Sequence, residues 1–118
     1  MKMQFILILA ALFCNEAFCG EVTDKNFNGK WCGKWDNTYS LCIQLNDINN
    51  NPIAEYSWQE RVDGKFHKTK KRITRFNQYT LKLENIWFTI DKKNPEQAQA
   101  TGLFTSQTRK ARLTKSSD

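Results

Sequence analysis

Residues 29–45 read Gly-Lys-Trp-Cys-Gly-Lys-Trp-Asp-Asn-Thr-Tyr-Ser-Leu-Cys-Ile-Gln-Leu, and this stretch decides the fold class. On either side of the polar residues 36–38, apolar and polar residues alternate with a period of two. Such alternation predicts two β-strands, and the polar residues between them predict a hairpin turn. One face of the hairpin is apolar and comprises Trp31, Gly33, Trp35, Tyr39, Leu41, Ile43 and Leu45.

The two cysteines of this stretch indicate its register. If the turn is centred on Asn37, Trp31 lies opposite Ile43, and Cys32 lies opposite Cys42 on the other face. Opposed residues of a non-hydrogen-bonded pair are close enough for an S–S bond. The apolar face and the cysteine pair therefore agree on one register, and we expect a structural disulfide between Cys32 and Cys42. A redox role is not favoured, because the Cys-x-x-Cys spacing is absent.

The rest of the chain also alternates with a period of two, and turn residues such as Asn94-Pro95 are expected to break it. Further short strands are expected around 54–58, Phe66, 73–76, 79–83, 86–90, 98–104 and 111–113. Residues after Leu113 are expected to fray. This spacing is typical of a sandwich or a small barrel. We therefore predict one all-β domain over residues 20–118, a small antiparallel barrel or flattened sandwich of about eight strands.

The first 19 residues have the composition of a secretory signal peptide. A short basic start precedes an apolar run at 5–13, and Ala17 and Cys19 suit cleavage after Cys19. Cleavage would remove two of the four cysteines and leave the net charge at +6. A lipid anchor is the other interpretation, but phenylalanine, not a small residue, precedes each leader cysteine. We expect a secreted or periplasmic protein without a transmembrane segment, because the apolar run is shorter than ~20 residues.

The start of the first predicted strand carries the motif Gly29-Lys30-Trp31. In this motif the chain resembles the calycins, the superfamily of lipocalins, fatty-acid-binding proteins and avidins. The order of Trp31, Asn37, Ser40 and Tyr56 is also similar to the start of avidin. The resemblance implies a calycin-like barrel in which a basic residue of the last strand packs over the Trp, and it assigns that place to Arg112.

Aromatic residues on the inward strand faces are the first candidates for a binding site. Inside a barrel they either fill the core or line a cavity for one small hydrophobic or planar ligand. Both interpretations stay open, and small residues such as Gly33 and Ala100 would leave room for a ligand. The Tyr56 hydroxyl and an indole N–H would supply polar contacts. The candidate ligand-binding residues are Trp31, Trp35, Tyr56, Trp58, Tyr79, Phe88 and Phe104.

A basic stretch at 65–75, interpreted as a loop, is the second candidate site. Such a cluster can bind a polyanion, a lipid headgroup or an anionic partner protein, or it can merely make the surface positive. Trp87 alternates with apolar residues, so it should face outward, where it suits stacking on a sugar or a partner. A secreted inhibitor or effector that inserts the turn at 47–52 or the basic loop into another protein is a further alternative. The candidate residues of this surface are Lys65, Lys68, Lys70, Lys71, Arg72, Arg75 and Trp87.

Catalytic motifs are scarce, and we expect a protein that is not an enzyme and holds no metal or cofactor. His67 is the only histidine, and it lies among cations without a carboxylate near in sequence, which predicts a solvated loop residue. Glu55 and Glu60 are expected on an outward strand face and at its end, where they balance lysines rather than form an acid–base pair. Export also disfavours nucleic acid as a partner, despite the positive charge.

Overall fold

The computed structural model of the protein describes residues 22–116, so the predicted leader at 1–19 lies outside the described residues. A short 3₁₀ helix, Asp24–Phe27, precedes eight β-strands. The strands are β1 (Gly29–Trp35), β2 (Tyr39–Leu45), β3 (Ile53–Gln59), β4 (Phe66–Arg75), β5 (Thr80–Leu83), β6 (Ile86–Asp91), β7 (Asn94–Phe104) and β8 (Gln107–Lys115).

Each strand pairs antiparallel with the next, and β8 pairs with β1, so the sheet closes into a barrel. The prediction of an all-β fold is confirmed, and of the two expected forms the chain adopts the barrel. Closure pairs β1 with β8, the two strands that would be the edges of an open sheet. The hairpins β1–β2, β3–β4, β5–β6 and β7–β8 all turn at one end of the barrel, which we call the hairpin end. The 3₁₀ helix and the other connections lie at the opposite end, the helix end.

The first hairpin has the predicted register. Cys32 lies opposite Cys42, with their Cα atoms 4.1 Å apart, and a disulfide joins them. The turn residues Asp36 and Asn37 have positive φ angles of 51° and 59°, a conformation that short polar residues adopt more readily than most. The amide of Asp36 donates to the carbonyl of Lys110 (2.7 Å), so the turn is also tied to β8.

Replacing Cys42 with serine is expected to lower the free energy of unfolding by about 2–3 kcal/mol, because the disulfide restricts the unfolded chain. Urea denaturation of the variant and of wild type, each with and without a reducing agent, measures the difference. Reduction should weaken wild type by the same amount and leave the variant unchanged. Equal stability of the variant and oxidised wild type would contradict a stabilising role for the bridge.

The barrel interior is filled over much of its length. Trp31 and Phe88 have no accessible surface, so no void large enough for a water molecule adjoins them. Their rings pack edge to face with centroids 5.1 Å apart, and Ala100, directly opposite Phe88 on β7, leaves room for them. The fully buried large side chains are Phe27, Trp31, Leu41, Ile43, Leu45, Leu81, Leu83, Ile86, Phe88, Ile90 and Leu113.

The 3₁₀ helix closes the helix end. Phe27 is fully buried against Phe88, with ring centroids 6.1 Å apart. Its carbonyl accepts a hydrogen bond from the indole N–H of Trp31 (2.9 Å). On the outside, Asp24 of the helix forms an ion pair with Arg75 at the end of β4. These contacts join the 3₁₀ helix to the first and fourth strands.

Lys115, and not Arg112, is the basic residue that packs over Trp31. Its ammonium nitrogen lies 4.9 Å from the centroid of the Trp31 ring and donates to the carbonyl of Asn26 (2.6 Å). Inward and outward residues alternate along β8, and this alternation leaves Arg112 exposed on the outer face. The expectation for Arg112 is therefore wrong.

The basic stretch is a strand and not a loop. The two strands expected around Phe66 and at 73–76 form one continuous strand, β4, which ends at Arg75. The residues that point inward before Ile73 are polar: His67, Thr69 and Lys71. The alternation of apolar and polar residues that marks other strands is therefore missing. Pairing with β3 along seven residue pairs holds this segment extended.

Two other boundaries differ from those expected. Asn94 and Pro95 were expected to form a turn between strands. Both instead belong to β7, which begins with an irregular pairing of Asn94 with Asp91. Thr114 and Lys115 were expected to fray, but both pair with β1. In each case pairing with a neighbouring strand overrides the local preference.

Candidate functional site

A pocket opens at the hairpin end of the barrel. Its volume of about 270 Å³ lies just below the usual range for ligand sites, about 300–1,000 Å³, and suits one ring system. The core is sealed below it, whereas Tyr39, Trp58 and Phe104 are only partly buried here. We call it the hairpin-end pocket, and its lining residues are Trp35, Tyr39, Tyr56, Trp58, Gln59, Glu60, Phe104, Gln107 and Arg109.

One wall of the hairpin-end pocket is formed by the two stacked rings of Tyr56 and Trp58, and His67 packs on Trp58 outside the pocket lining. Tyr56 and Trp58 point inward from β3, and their rings are nearly parallel (11°) with centroids 4.8 Å apart. His67 lies opposite Trp58 on β4 and continues the stack at 5.3 Å. The prediction that His67 lies in a loop is wrong, because His67 is a strand residue; its side chain is 41% exposed, and its Nε2 lies 3.6 Å from Glu60 Oε1.

The opposite wall is formed by Trp35 and Phe104. Their rings pack edge to face with centroids 5.5 Å apart. Gly102 makes this possible, because a Cβ atom there would lie 2.5 Å from the Phe104 ring and 3.0 Å from the Trp35 ring. Phe104 therefore folds back over the barrel, where aromatic surface is available to a ligand.

Tyr56 supplies a hydrogen-bond donor. Its hydroxyl oxygen accepts from the indole N–H of Trp35 (2.9 Å), and no residue within 22–116 accepts its proton. Burial raises the pKa of the Tyr56 hydroxyl above its ordinary value, and the hydrogen bond from Trp35 partly offsets that rise. The hydroxyl therefore keeps its proton at neutral pH and can donate it to a ligand. The indole N–H of Trp35 is already used.

Charged groups stand at the rim of the hairpin-end pocket. Arg109 donates to a carboxylate oxygen of Asp36 (2.9 Å), and its guanidinium carbon lies 4.9 Å from the centroid of the Tyr39 ring. Its side chain is about one quarter exposed (23%), so it can still meet an anionic or polar group of a ligand.

The structure divides the predicted ligand-binding residues into three groups. It brings Trp35, Tyr56, Trp58 and Phe104 together in the hairpin-end pocket. It places Trp31 and Phe88 in the filled core, so the idea that they line a cavity is wrong. Tyr79 is half-buried in the β4–β5 connection at the helix end, where the ammonium of Lys92 lies 5.1 Å from its ring.

Five lining residues of the pocket were not among the candidate ligand-binding residues: Tyr39, Gln59, Glu60, Gln107 and Arg109. Tyr39 was assigned to the apolar face of the first hairpin, and its place beside the turn was the available signal. Arg109 lies on β8 with the same parity as the buried Ala111 and Leu113, which would have indicated an inward side chain. Its basic character pointed instead to the surface.

Alternation along β4 divides the basic candidates between two faces. Lys68, Lys70 and Arg72 point outward and are exposed. Lys65, which precedes the strand, is exposed as well. None of these four forms an ion pair with any carboxylate of residues 22–116. These cations are therefore available to a partner.

Lys71 and Arg75 lie on the inward face of β4, opposite to that of Lys68, Lys70 and Arg72, and they contact other residues of the protein. The ammonium of Lys71 donates to the side-chain oxygen of Asn85 (2.8 Å). The guanidinium of Arg75 pairs with Asp24 and lies 5.5 Å from the centroid of the Phe27 ring. Their roles are to join β4 to the β5–β6 turn and to the 3₁₀ helix.

A shallow groove of about 440 Å³ crosses the outer face of β1–β4 beside the disulfide. One cross-strand row in it runs Lys30, Gln44, Glu55 and Lys70. Glu55 lies outward, as expected, and the structure places it directly opposite Lys70. The groove is thus polar and carries mainly positive charge.

Trp87 faces outward from β6, as predicted, and is half-buried. Phe76 packs edge to face against it with centroids 5.0 Å apart, and the ammonium of Lys82 lies 5.4 Å from its ring. Lys82 is its direct neighbour on β5, and Thr74 on β4 is the next residue in that row. Trp87 is therefore separated from Lys68 and Lys70, so the two parts of the predicted surface do not form one site.

The turn at 47–52 is held against the 3₁₀ helix. The amide of Asp47 donates to the side chain of Asn28 (2.8 Å), and the side chain of Asn49 donates to Asp24 (2.6 Å). This turn helps to close the helix end, which does not favour its insertion into another protein.

Within residues 22–116, no helix is long and apolar enough to cross a membrane. In the same part of the chain, no three His, Cys, Asp or Glu side chains are grouped as a metal ion would require. Comparison of the chain with protein-family models, with curated proteins and with solved structures gives no significant match. The fold therefore defines only a class: an eight-stranded antiparallel β-barrel with a disulfide across its first hairpin.

Proposed function

We propose that the protein is an exported, non-enzymatic binding protein that holds a small planar or hydrophobic ligand in the hairpin-end pocket. The partly exposed Trp58 ring, stacked on Tyr56 in a pocket above a filled core, is the observation that carries this proposal. Aromatic surface left in contact with water is unfavourable, and a flat ligand that covers it gains the free energy of its burial.

Polar groups give such a ligand an orientation. The Tyr56 hydroxyl donates one hydrogen bond from the floor of the pocket, and Arg109 offers positive charge at the rim. A ring system that carries an acceptor on one edge, or an acidic group toward the rim, fits both. Trp31 and Phe88 take no part, because they lie in the sealed core.

The fluorescent anion 2-naphthalenesulfonate, which is a single planar ring system with an acidic group, is a suitable probe. Its fluorescence titration with wild type should saturate at one site. Trp58→Ala should raise its Kd by about tenfold or more, because the ligand loses buried aromatic area together with a ring contact that contributes about 0.5–1.5 kcal/mol beyond that area. Tyr56→Phe should raise it by about threefold to tenfold, because one hydrogen bond is lost.

Trp87→Ala is the matched control, because it removes an indole from the outer face and should leave the Kd unchanged. Circular dichroism and thermal unfolding establish that each variant is folded. Absence of saturable binding to wild type, or weakening by Trp87→Ala but not by Trp58→Ala, would overturn the proposal for this pocket.

Export is part of the proposal and is supported by the Cys32–Cys42 disulfide, since such bonds persist in oxidising compartments. A relation to the calycins is also proposed. It is supported by Gly29-Lys30-Trp31 at the start of β1, by the closed meander, and by Lys115 over Trp31.

A second candidate function is recognition of an anionic polymer, lipid headgroup or protein by the outer face of β4. It is supported by the exposure of Lys68, Lys70 and Arg72 and by their lack of carboxylate partners within the described residues. A row of unpaired cations attracts anions over a range set by the Debye length, so binding of this kind should weaken with added salt.

A further inference from the structure

Strand β4 has a free edge. On one side it pairs with β3 from Phe66 to Arg72. On the other side β5 reaches only Ile73, Thr74 and Arg75. Among the strands of residues 22–116, none pairs with 66–72 of β4 on that side, because the β5–β6 hairpin is too short.

The hydrogen bonds around Ile73 show which amides face the free edge. The amide of Ile73 donates to the carbonyl of Pro52 (2.8 Å), so it faces β3. The amide of the preceding residue, Arg72, faces away from β3 and donates to the side chain of Glu84 (2.9 Å). Along an antiparallel strand, the backbone N–H and C=O groups of successive residues point alternately to one side of the strand and to the other.

By this alternation, Phe66, Lys68 and Lys70 direct their N–H and C=O groups to the free side. A run of alternate open backbone groups is the template on which an extended peptide adds as a further strand. Phe66 is about half exposed (47%), which is consistent with an edge that no other element covers.

The charges on this edge select the kind of strand that can pair. Lys68 and Lys70 point outward, and Lys71 carries a third cation on the inward side. A second copy of the chain pairing through the same edge would bring lysines opposite lysines, which repel. An acidic strand would instead bring carboxylates opposite them, so the same residues exclude self-pairing and favour an acidic partner.

We propose that the free edge of β4 at 66–72 binds an extended acidic segment of a partner protein as an added antiparallel strand. The proposal rests on the second candidate function and specifies both its partner and its mode of binding. The Lys68 and Lys70 side chains supply the charge, and the backbone groups of Phe66, Lys68 and Lys70 supply the directional hydrogen bonds.

The antiparallel geometry identifies which peptide amides matter. Residues opposite each other in a hydrogen-bonded pair direct their N–H groups at one another and their side chains to the same face. A glutamate opposite Lys68 or Lys70 therefore also directs its own amide at β4. In a peptide that alternates glutamate and valine, the glutamate amides face β4 and the valine amides face solvent.

A fluorescein-labelled peptide of alternating glutamate and valine is the probe, and fluorescence anisotropy at low ionic strength measures its Kd. N-methylation of the glutamate amides should weaken binding about tenfold or more, because it removes the hydrogen bonds to β4. N-methylation of the valine amides is the matched control and should leave the Kd within about threefold. Both modified peptides carry the same charge, so electrostatics alone cannot separate them.

The protein offers a second matched pair at Lys70. Both Lys70→Ala and Lys70→Pro remove the charge, but only proline removes the N–H that faces the free edge, where an edge strand tolerates it. Lys70→Pro should bind at least about tenfold more weakly than Lys70→Ala. Lys68→Glu should weaken binding of the peptide by repulsion, which tests the basic face independently of the edge. Thermal unfolding establishes whether each variant is folded. If Lys70→Pro is not folded, the two N-methylated peptides still test the proposal on the wild-type protein.

Four other outcomes would each overturn the proposal, and each one identifies which part of it fails. If Lys68→Glu weakens binding but the two methylated peptides bind equally, the basic face acts by charge alone and only the strand addition fails. If heparin oligosaccharide binds and the peptide does not, the partner is a polyanion and not a protein strand. If neither binds, the second candidate function fails with it. If wild type is a dimer that Lys70→Pro dissociates, the edge pairs with a second copy.

Discussion

Replacing Trp31 with alanine is expected to lower the free energy of unfolding by about 3–5 kcal/mol, the range for loss of a large buried aromatic side chain. Trp31 is fully buried against Phe88, and its indole donates to the carbonyl of Phe27. Alanine would leave a cavity, deprive that carbonyl of its donor and remove the ring beneath Lys115. Urea denaturation followed by circular dichroism measures the loss.

Trp87→Ala is the control for this prediction, because it removes the same side chain from the outer face of the barrel. Trp87 contacts Phe76 and Lys82 but seals no core, so we expect a loss of about 1 kcal/mol or less. Equal losses in the two variants would mean that the interior around Trp31 is not packed. The pair therefore tests the filled core directly, and with it the placement of any ligand at the hairpin end.

Replacing Gly33 with alanine is expected to cost about 3 kcal/mol, the upper part of the range for overpacked interiors. A Cβ atom at Gly33 would lie 2.1 Å from the carbonyl oxygen of Arg112 and 2.9 Å from Leu113 Cδ2. The first of these is backbone and cannot rotate away, so β1 and β8 would have to move apart. These strands close the barrel by pairing at Trp31, Cys32 and Gly33, and Gly33 lies directly opposite Leu113.

Thermal unfolding of Gly33→Ala beside Gly64→Ala checks this prediction. Gly64 lies in the β3–β4 turn, where the nearest atom to an added Cβ would be the carbonyl oxygen of Arg61 at 3.3 Å. The control should therefore stay within about 1 kcal/mol of wild type. A Gly33→Ala variant as stable as Gly64→Ala would show that the β1–β8 seam does not need a residue without a side chain.

The first hairpin was predictable because its signals are local and independent. The alternation on both sides of Asp36-Asn37-Thr38 and the spacing of Cys32 and Cys42 agree on one register. A shift by one residue would turn the apolar face to solvent and separate the sulfur atoms. Sequence alone was sufficient here, since partners ten residues apart in the chain meet directly.

Strand β4 was not predictable in the same way. Period-two patterns arise when one face is packed in a core, and the inward face of β4 at His67, Thr69 and Lys71 lies where the core ends. Those positions therefore carry no selection for apolar side chains, and the strand resembles a solvated loop. Its extended form comes from the pairing with β3.

Depth within the barrel was also beyond the sequence. Trp31 and Trp58 both have inward parity, yet one is sealed in the core and the other is half-buried in the pocket. Whether a side chain points inward follows from the alternation along its own strand. How deeply it is buried depends on what closes each end of the barrel. The 3₁₀ helix seals one end through Phe27, whereas the hairpin end holds the pocket.

The sequence by itself determined the all-β class, the first hairpin with its disulfide, and the outward direction of Trp87, because each depends on alternation within one or two neighbouring strands. Only the tertiary structure decided that the barrel closes, that Lys115 rather than Arg112 covers Trp31, and that four predicted aromatic residues meet in one pocket. These depend on contacts between residues far apart in the chain. Such contacts are set by which strands pair and how far each extends, and β4 shows that a strand can extend past its neighbour without any local sign.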